Sequence, residues 1–329
     1  MTRKERAQGS MIGGAYGDSL GAAVEFMSSK KIKKEFGDQG ITELVPVYGE
    51  IGNITDDTQM AIATAEGILN TPQGFTSDQN ILIQNIWHSY LKWFDTQFEE
   101  DQARAPGSTC LKALGSGAMG TVGKSLNKSP GCGAIMRVHP VGLAISDPDE
   151  SFELGMASGA ITHGHPDAYI PAGFLSSLTS EIMNGREFIN ALDAVHERLK
   201  KLPRKKAQGT LRAIEKAVST NNVKDTFETI DNEVGGTGGW AGHDALGIGI
   251  FAVIQANQDP LEAVRIAVNH SGDSDSTGSI AGVITGAIHG SEMFIKALED
   301  QDVTLEHEDY LDDLAAELSE VPMSFESTS

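Results

Sequence analysis

Acidic side chains are concentrated at two places where an apolar helical pattern begins. The first is TDDT at 55–58, and the second is SGDSDSTG at 271–278. Acids and hydroxyls suit the start of a helix, because they cap free backbone N–H groups and interact favourably with the helix dipole. The same oxygen atoms are the ligands that Mg²⁺ and Mn²⁺ prefer. Both clusters are therefore candidates for either capping or metal binding.

Capping explains each cluster when it is considered alone. Asp56 followed by Gln59 has the form of a capping box. Together the clusters supply four carboxylates, and Glu25 offers a fifth. Clustered carboxylates repel one another strongly unless cations lie between them. A two-metal site makes such a group tolerable, and it is compatible with capping because one helix start can orient acids whose outer oxygens face the metals.

Other metal and nucleotide motifs fit less well. An EF-hand beginning at Asp273 would place Ile284 where its bidentate Glu belongs. The overlapping GSGAMG and AMGTVGKS sequences at 115–125 have no strand before them, and Pro130 ends the helix that a phosphate-binding loop needs. THGHPD at 162–167 could bind zinc, but it precedes a helical pattern, so we interpret it as the polar lining of a pocket.

Two glycine-containing segments could contact a ligand. SPGCGAIMR at 129–137 is a turn that opens onto a helix, and its free N–H groups could hold a diphosphate, although an ordinary turn has the same composition. VGGTGGWAGHDALG at 234–247 surrounds Trp240 with glycines. This pattern predicts either a mobile loop whose aromatic ring stacks on a base, or a Trp that anchors the loop to the core.

The elements that must position these residues are predicted to be helices. Apolar residues recur at spacings of three and four along most of the chain. The best period-two segment is 41–54, and Pro46 weakens it as a strand. The fold class is therefore predicted to be all-α. The windows with helical spacing are 11–27, 57–70, 80–98, 152–160, 168–184, 187–200, 207–218, 244–257, 260–269 and 277–298.

Two of these predicted helices carry glycine at fourth positions. A ridge without side chains lets another helix approach closely, which must outweigh about 1 kcal/mol of helix propensity lost at each glycine. In a membrane the pattern would indicate dimerising spans, but the Asp and Ser residues around it favour a closely packed soluble core. Asp18 and Glu25 lie along one face of the first helix. The glycines of the ridge on the first predicted helix are Gly13, Gly17 and Gly21, and those of the ridge on the predicted helix 277–298 are Gly278, Gly282, Gly286 and Gly290.

Composition and charge exclude several classes of protein. Of the 329 residues, 40% are hydrophobic and 22% are charged, as in ordinary globular proteins. The formal charge of -21 argues against a nucleic-acid or anionic-membrane partner, because both require a basic face. Two cysteines, no signal-peptide pattern and no long apolar stretch lead us to expect a cytoplasmic protein.

The ordered set of these motifs resembles the ADP-ribosylglycohydrolase family, which includes dinitrogenase reductase-activating glycohydrolases and ADP-ribosylarginine hydrolases. The matching sequences are GGAYGDSLGAAVEF, TDDTQM, GCGAIMRVHPVGL, THGHPDAY and SGDSDSTGSIAG. The resemblance implies a single-domain orthogonal helical bundle over 11–298. Residues 1–10 would be an N-terminal extension, and 299–329 an acidic C-terminal surface helix and frayed tail.

The resemblance also implies a hydrolase that uses two Mg²⁺ or Mn²⁺ ions to cleave the bond between C1 of the distal ribose and a modified side chain. Glu25, Asp56 and Asp57 would be the catalytic acids, with Glu25 helping to hold or activate water. The implied metal ligands are Thr55, Asp56, Asp57, Asp273, Asp275 and Ser276, and the expected substrate-binding residues are Gly131, Cys132, Gly133, Ala134, Ile135, Met136, His163 and Trp240.

GGWAGHDA and SGDSDST are similar to arginine-directed members, so the expected reaction removes ADP-ribose from ADP-ribosylated arginine in a protein. Hydrolysis of serine-linked ADP-ribose, O-acetyl-ADP-ribose or poly(ADP-ribose) is the enzymatic alternative. An ADP-ribosylating toxin or transferase is a further expected partner. The family also contains crystallin-like members, so a non-catalytic or toxin-binding protein is an alternative of another class. Lost ligands would be its signature, and all the implied ligands are present.

Overall fold

The computed structural model describes residues 1–72, 78–221 and 223–320. Within these ranges the chain is helical and has no β-strand, which confirms the all-α prediction. The segment 41–54 forms a loop with one antiparallel bridge between Val47 and Glu50. The helices are α1 (Arg3–Ala22), α2 (Ser29–Phe36), α3 (Asp56–Leu69), α4 (Gln79–Thr96), α5 (Ser108–Gly115), α6 (His139–Ala144), α7 (Pro148–Ala160), α8 (Pro166–Met183), α9 (Phe188–Lys200), α10 (Arg204–Ser219), α11 (Thr226–Thr229), α12 (Gly242–Gln255), α13 (Pro260–Val268), α14 (Ser274–His289), α15 (Glu292–Gln301) and α16 (Glu308–Glu320).

Local chemistry explains where the first helix begins. Thr2 is the N-cap of α1 and forms a capping box with Glu5, so the helix starts at Arg3 rather than at residue 11. It ends at Ala22, which places Glu25 in the following turn instead of on the helix. The expected boundary between an N-terminal extension and the domain, at residues 10 and 11, therefore falls inside one continuous helix.

The predicted helix 277–298 is two helices. Gly290 ends α14 with a φ of 83°, a left-handed conformation that glycine adopts without strain. The chain then enters α15, which continues to Gln301. The expected domain boundary between residues 298 and 299 falls within this helix.

Helices α1 and α14 pack together through their glycine faces. A Cβ added at Gly17 would lie 2.1 Å from Gly278 O, and one at Gly13 would lie 2.4 Å from Gly282 O. Residues with higher numbers on α1 contact residues with lower numbers on α14, so the two helices are antiparallel. The prediction of close helix approach is confirmed, and each ridge has the other as its partner. The end of α1 thereby meets the start of α14.

The acidic C-terminal helix packs its apolar face inward. Helix α16 contacts α1 and α3, and its four predicted apolar residues are all buried. Residues 321–329, which belong to the expected tail, lie outside the described residues. Across the described ranges, no helix combines the length and the hydropathy needed to cross a membrane. The four buried apolar residues of α16 are Leu311, Leu314, Ala315 and Leu318.

Candidate active site

Helix α3 begins with a threonine cap followed by two buried acids. Thr55 is the N-cap residue, and its Oγ1 accepts a hydrogen bond from Asp57 N at 3.1 Å. The predicted capping box of Asp56 with Gln59 is wrong, because Asp56 N donates to Arg104 O, and Gln59 Oε1 accepts from the side chains of Trp93 and Gln97 instead. Neither carboxylate serves as the cap, and Asp56 and Asp57 are only 6% and 3% exposed at the edge of a cleft.

A buried carboxylate on α1 holds this helix start in place. Asp18 accepts hydrogen bonds from Thr55 N at 3.1 Å and Thr58 N at 3.2 Å, and also from the Thr58 hydroxyl. Burial raises the pKa of Asp18 to about 6, and these donors oppose that rise because they stabilise the charged form. Helix α1 therefore determines the position at which α3 begins.

Helix α14 begins with a different arrangement of the same residue types. Asp273 is the N-cap by position but makes no capping bond with its side chain. Its N–H donates to Gly238 O at 2.8 Å, and the Cys132 thiol donates to Asp273 Oδ2 at 3.3 Å. Ser276 Oγ donates to Asp57 Oδ2 at 2.8 Å. This last bond joins the two acid clusters across 219 positions of sequence.

The clustered acids resist ionisation. Burial raises the pKa of Asp56, Asp57 and Asp275 well above the ordinary value, and neighbouring carboxylates raise it further. Glu25 is half-buried, and burial followed by the charge of Asp273 raises its pKa to about 7. Within the described ranges, no Lys or Arg forms an ion pair with these acids. Added positive charge would therefore stabilise the ionised carboxylates of the cleft.

The chemistry of this donor set fits hard divalent cations. Carboxylate and hydroxyl oxygens predominate, and added positive charge would relieve the repulsion between the acids. Among the described residues, no three Asp, Glu, His or Cys side chains already converge as a finished metal site. Protein donors explain part of this: Gly107 N binds Asp56 Oδ2, and Ser276 binds Asp57. The acids share a cleft while individual oxygens are held by the protein.

The glycine-rich loop 234–242 is tied to the turn that precedes α6. Cys132 N donates to Trp240 O at 2.9 Å, and Gly242 N donates to Pro130 O at 2.8 Å. The loop also bonds to the start of α14, as described above. These backbone bonds connect the two glycine segments and the second acid cluster, in the loop for which the sequence left mobility and anchoring by Trp240 as alternatives. The indole of Trp240 is 47% exposed at the cleft, so it does not anchor the loop to the core.

One cleft of about 700 Å³, which includes open solvent, collects most of these groups. His163 packs against the turn, where a Cβ added at Gly133 would lie 2.9 Å from His163 Cε1. The lining residues that the sequence predicted are Glu25, Asp56, Asp57, Gly131, Cys132, Gly133, Met136, His163, Trp240, Asp273, Asp275 and Ser276.

Three predicted site residues do not line the cleft. The side chains of Ala134 and Ile135 are fully buried in the core and do not reach the ligand space. Thr55 is 1% exposed and is engaged as the α3 cap. In the THGHPD segment, only His163 reaches the cleft. His165 is the N-cap of α8, which supports the interpretation of this motif as structural and pocket-lining rather than as a zinc site.

Several cleft residues were missed by sequence reasoning. Phe26 follows Glu25 with a φ of 52° and is 62% exposed, an unusual conformation for a bulky residue. The segment 105–110, at the start of α5, forms another wall, and Ser129 lines the cleft although only the later residues of its glycine segment were predicted as binding residues. The aromatic residue that directly follows a candidate catalytic acid was the available sequence signal. The residues of the 105–110 segment have no characteristic spacing that would have predicted their position in the cleft.

The fold and the cleft together define a class of protein. The family model described as ADP-ribosylglycohydrolase matches residues 1–324, and the chain belongs to that family. The match includes the first ten residues and α16, which the sequence analysis placed outside the resemblance. The family's activity is hydrolytic removal of ADP-ribose from modified proteins, so the chain is assigned to the hydrolases.

Individual proteins of known sequence or structure are similar to this chain. The chain is 25% identical over 296 residues to the ADP-ribosyl-[dinitrogen reductase] glycohydrolase of Rhodospirillum rubrum, which covers 87% of this chain and 86% of that protein. It is 22% identical to the ADP-ribosylarginine hydrolase Tri1 of Pseudomonas putida, over 87% and 71% of the two chains. A solved ADP-ribosylglycohydrolase-related protein complex has the same fold, with a TM-score of 0.73, 24% identity and coverage of 98% and 99%.

Proposed function

We propose that this protein is a metal-dependent hydrolase that releases ADP-ribose from ADP-ribosylated arginine in a protein substrate. The observation that carries the proposal is the shared cleft. Carboxylates from α3 and α14 face the same space as a glycine turn, a buried histidine and an exposed tryptophan. Acids alone would suit many hydrolases, whereas acids next to a backbone diphosphate cradle suit a nucleotide-sugar substrate.

The substrate would lie across the cleft with its nucleotide on the side of the glycine turn. The backbone at 131–133 and the ring of His163 form a compact wall suited to the diphosphate. Trp240, exposed on the adjoining loop, is placed to stack on the adenine or a ribose. The distal ribose would then face the acid clusters, which places the bond to be cleaved near Glu25.

The cations would be two Mg²⁺ or Mn²⁺ ions held by the oxygen donors of the two helix starts. When bound, they would neutralise the carboxylates, hold the ribose hydroxyls and lower the pKa of a bound water. The proposed ligands are Asp56, Asp57, Asp273, Asp275 and Ser276, which line the cleft, together with Thr55, whose hydroxyl also caps α3.

Protons would be handled by the acids at the edge of the cluster. Glu25 is half-buried, and in the absence of cations burial and the charge of Asp273 raise its pKa to about 7, so it binds a proton more readily than an ordinary carboxyl group. We assign to Glu25 the transfer of a proton between the attacking water and the leaving side chain, with Asp56 or Asp57 as its partner. The ribose would develop oxocarbenium character as the bond breaks, and the surrounding carboxylates would stabilise that positive charge.

Two observations support arginine as the modified side chain. The cleft mouth is acidic, with Glu25 beside the exposed ring of Phe26, and a guanidinium group pairs favourably with both a carboxylate and an aromatic face. The similar protein of Pseudomonas putida is an ADP-ribosylarginine hydrolase by name. An ADP-ribosyltransferase, whether a toxin or a regulatory enzyme, would produce the substrate.

The test is release of ADP-ribose from two matched peptides, one modified on arginine and one on serine, by protein supplied with Mg²⁺ or Mn²⁺. We expect turnover of the arginine-linked peptide, abolition of turnover by a chelator, and recovery when the cation is restored. The Asp57→Asn variant should be inactive. Asp313→Asn is the matched control, because Asp313 is an exposed acid on α16 that does not line the cleft.

Each alternative has its own result in this assay. Preferential cleavage of the serine-linked peptide would replace the proposed linkage while keeping the hydrolase. Full turnover in the presence of chelator would contradict the metal-dependent proposal. Failure of the folded, cation-supplied protein to cleave either peptide, O-acetyl-ADP-ribose or poly(ADP-ribose) would support a binding protein without catalytic activity.

A further inference from the structure

A completely buried arginine lies directly behind the wall of the cleft. Arg137 is 0% exposed, and within the described ranges it forms no ion pair with an acid. Its guanidinium stacks over the Tyr90 ring at 4.3 Å, and Nη1 contacts the sulfurs of Met60 and Cys110. Burying an unpaired cation costs free energy, so a specific interaction should account for its position.

The strongest polar contact of Arg137 is with a threonine. Its Nη2 donates to Thr162 Oγ1 at 2.6 Å, and Thr162 Oγ1 lies 2.8 Å from Nδ1 of His163. Because the hydroxyl already accepts from the guanidinium, its own proton is available for the histidine ring. Among the described residues, no other acceptor takes this proton. The three side chains therefore form a directed chain of hydrogen bonds in which Thr162 donates to Nδ1.

This direction decides which ring nitrogen of His163 carries hydrogen. A neutral imidazole that accepts at Nδ1 carries its proton at Nε2. His163 is 2% exposed and lines the cleft, and Nε2 has no hydrogen-bond partner within the described ranges. The free N–H would point over the turn at 131–133, where a Cβ added at Gly133 would lie 3.2 Å from Nε2.

We propose that Arg137 and Thr162 are positioning residues that lock His163 as the Nε2–H tautomer, so that it donates a hydrogen bond to an oxygen of the bound ligand. Neither residue touches the ligand in this arrangement. The identity of the ligand oxygen, a diphosphate oxygen of ADP-ribose, rests on the proposed function. The tautomer itself depends only on the hydrogen-bond chain.

The environment keeps the ring neutral as well as oriented. Burial lowers the pKa of His163 to about 3, and the nearby charge of Arg137 lowers it further. The neighbouring Cys110 thiol stays uncharged, because burial raises its pKa to about 11. Because Nε2 carries the proton and Nδ1 accepts from Thr162, no ring lone pair faces the ligand, so His163 acts as a neutral donor rather than as a general base. An anionic ligand is held by a dipole and by backbone N–H groups rather than by a full charge.

The direct test is ¹⁵N NMR of full-length protein labelled at histidine, with His163 assigned by the resonances that disappear in His163→Gln. At pH 7 we expect a protonated Nε2 and an unprotonated Nδ1 in the wild type, with no titration down to pH 5. Thr162→Val should mix the two tautomers, whereas Thr162→Ser, which keeps the hydroxyl, should preserve the wild-type pattern. Arg137→Lys keeps the charge but shortens the reach, and it should also produce mixing.

Calorimetric binding of ADP-ribose connects the tautomer to the ligand. Thr162→Val should weaken ADP-ribose binding about tenfold, the effect of one lost hydrogen bond to a charged group. Thr162→Ser should stay within about twofold of the wild type. Adenosine has no diphosphate, so its affinity should be unchanged in all variants. A general packing defect would weaken both ligands equally.

A wild-type His163 that carries its proton at Nδ1, or that is an imidazolium at pH 7, would overturn the proposal. The same holds if Thr162→Val leaves both the tautomer and the affinity for ADP-ribose unchanged. If the wild type binds no ADP-ribose but shows the Nε2–H form, the proposed function is contradicted and the hydrogen-bond chain is supported. The two hypotheses thus fail separately.

Discussion

The two acidic helix starts are held against α1 by different forces. At α3, the buried carboxylate of Asp18 binds the backbone and hydroxyl groups of the first turn. At α14, glycine backbones of the two helices pack face to face, and no side chain intervenes. The polar clamp can adjust its bond lengths, whereas the glycine contact has no room for an added atom. One helix therefore brings together both halves of the cleft, by hydrogen bonding on one side and by shape on the other.

The helix starts also divide capping and acidity differently. Thr55 caps α3 and leaves Asp56 and Asp57 for the cleft. Asp273 occupies the cap position of α14 without capping, because its backbone is held by the neighbouring glycine loop. The start of α3 therefore includes a side chain that caps the helix, whereas the start of α14 has no side-chain cap. The following predictions test these differences, from the largest expected effect to the smallest.

Loss of one carboxylate from either helix start should abolish activity to a similar extent. We expect Asp57→Ala and Asp275→Ala each to lower kcat/KM at least about 1000-fold, which corresponds to about 4 kcal/mol of lost transition-state stabilisation. The measurement is steady-state release of ADP-ribose at saturating Mn²⁺, with circular dichroism to check folding. A loss confined to one of the two variants would show that only one cluster serves the reaction.

A methyl group in the glycine contact should destabilise the whole fold. A Cβ at Gly282 would lie 1.9 Å from Gly13 O, and backbone atoms cannot rotate away from it. We expect Gly282→Ala to lower the free energy of unfolding by about 3 kcal/mol, even though alanine favours helix. Urea denaturation measures the change. Gly123→Ala is the control, since no atom lies within 4 Å of its added Cβ; equal stability of both variants would contradict the packing explanation.

The charge of Glu25 should be visible in the pH dependence of stability when cations are removed. Its folded pKa of about 7 exceeds the ordinary value of 4.5, so the folded state holds the proton more tightly. This favours folding at pH 5, and the contribution is lost as the pH rises through 7. Relative to Glu25→Gln, the chelated wild type should lose up to about 2 kcal/mol between pH 5 and pH 8, allowing for partial exposure of Glu25.

Denaturant curves of the two chelated proteins at pH 5 and pH 8 give this difference directly. Comparison of the two proteins at each pH cancels the contributions of other titrating groups, including the buried histidines. If Glu25→Gln and the wild type show the same pH dependence, Glu25 does not share the electrostatic field of the acid cluster. Addition of Mn²⁺ should reduce the difference, because cations favour the ionised carboxylate.

The smallest expected effects on stability distinguish Thr55, which caps α3, from Asp273, which occupies the cap position of α14. Thr55→Ala removes a capping hydroxyl and should cost about 1 kcal/mol of unfolding free energy, whereas Thr55→Ser should cost much less. Asp273→Asn removes no capping bond made by the side chain and removes the charge that raises the pKa of Asp57 and Asp275, so the chelated variant should be at least as stable as the wild type. Thermal denaturation in chelator measures all three. A cost at Asp273 equal to that at Thr55 would mean that Asp273 caps α14 in solution.

The sequence predicted the fold class and most of the donor atoms, because these depend on local patterns. Apolar periodicity indicated the longer helices, while the short α2, α5 and α6 lack enough turns to show it. The first-turn acids were recognised from their types and spacing. The burial of the Ala134 and Ile135 side chains was not foreseen, because a motif specifies the path of a turn but not which side of it faces a ligand.

By itself, the sequence determined the helical character of the chain, the two acidic helix starts and the glycine ridges, since each arises within a few residues of chain. Only the tertiary structure decided that the two ridges pair with each other and that Ser276 bonds to Asp57. It also revealed the chain from Arg137 through Thr162 to His163. Such contacts depend on how distant helices pack, because the direction of a buried side chain is set by its neighbours in space.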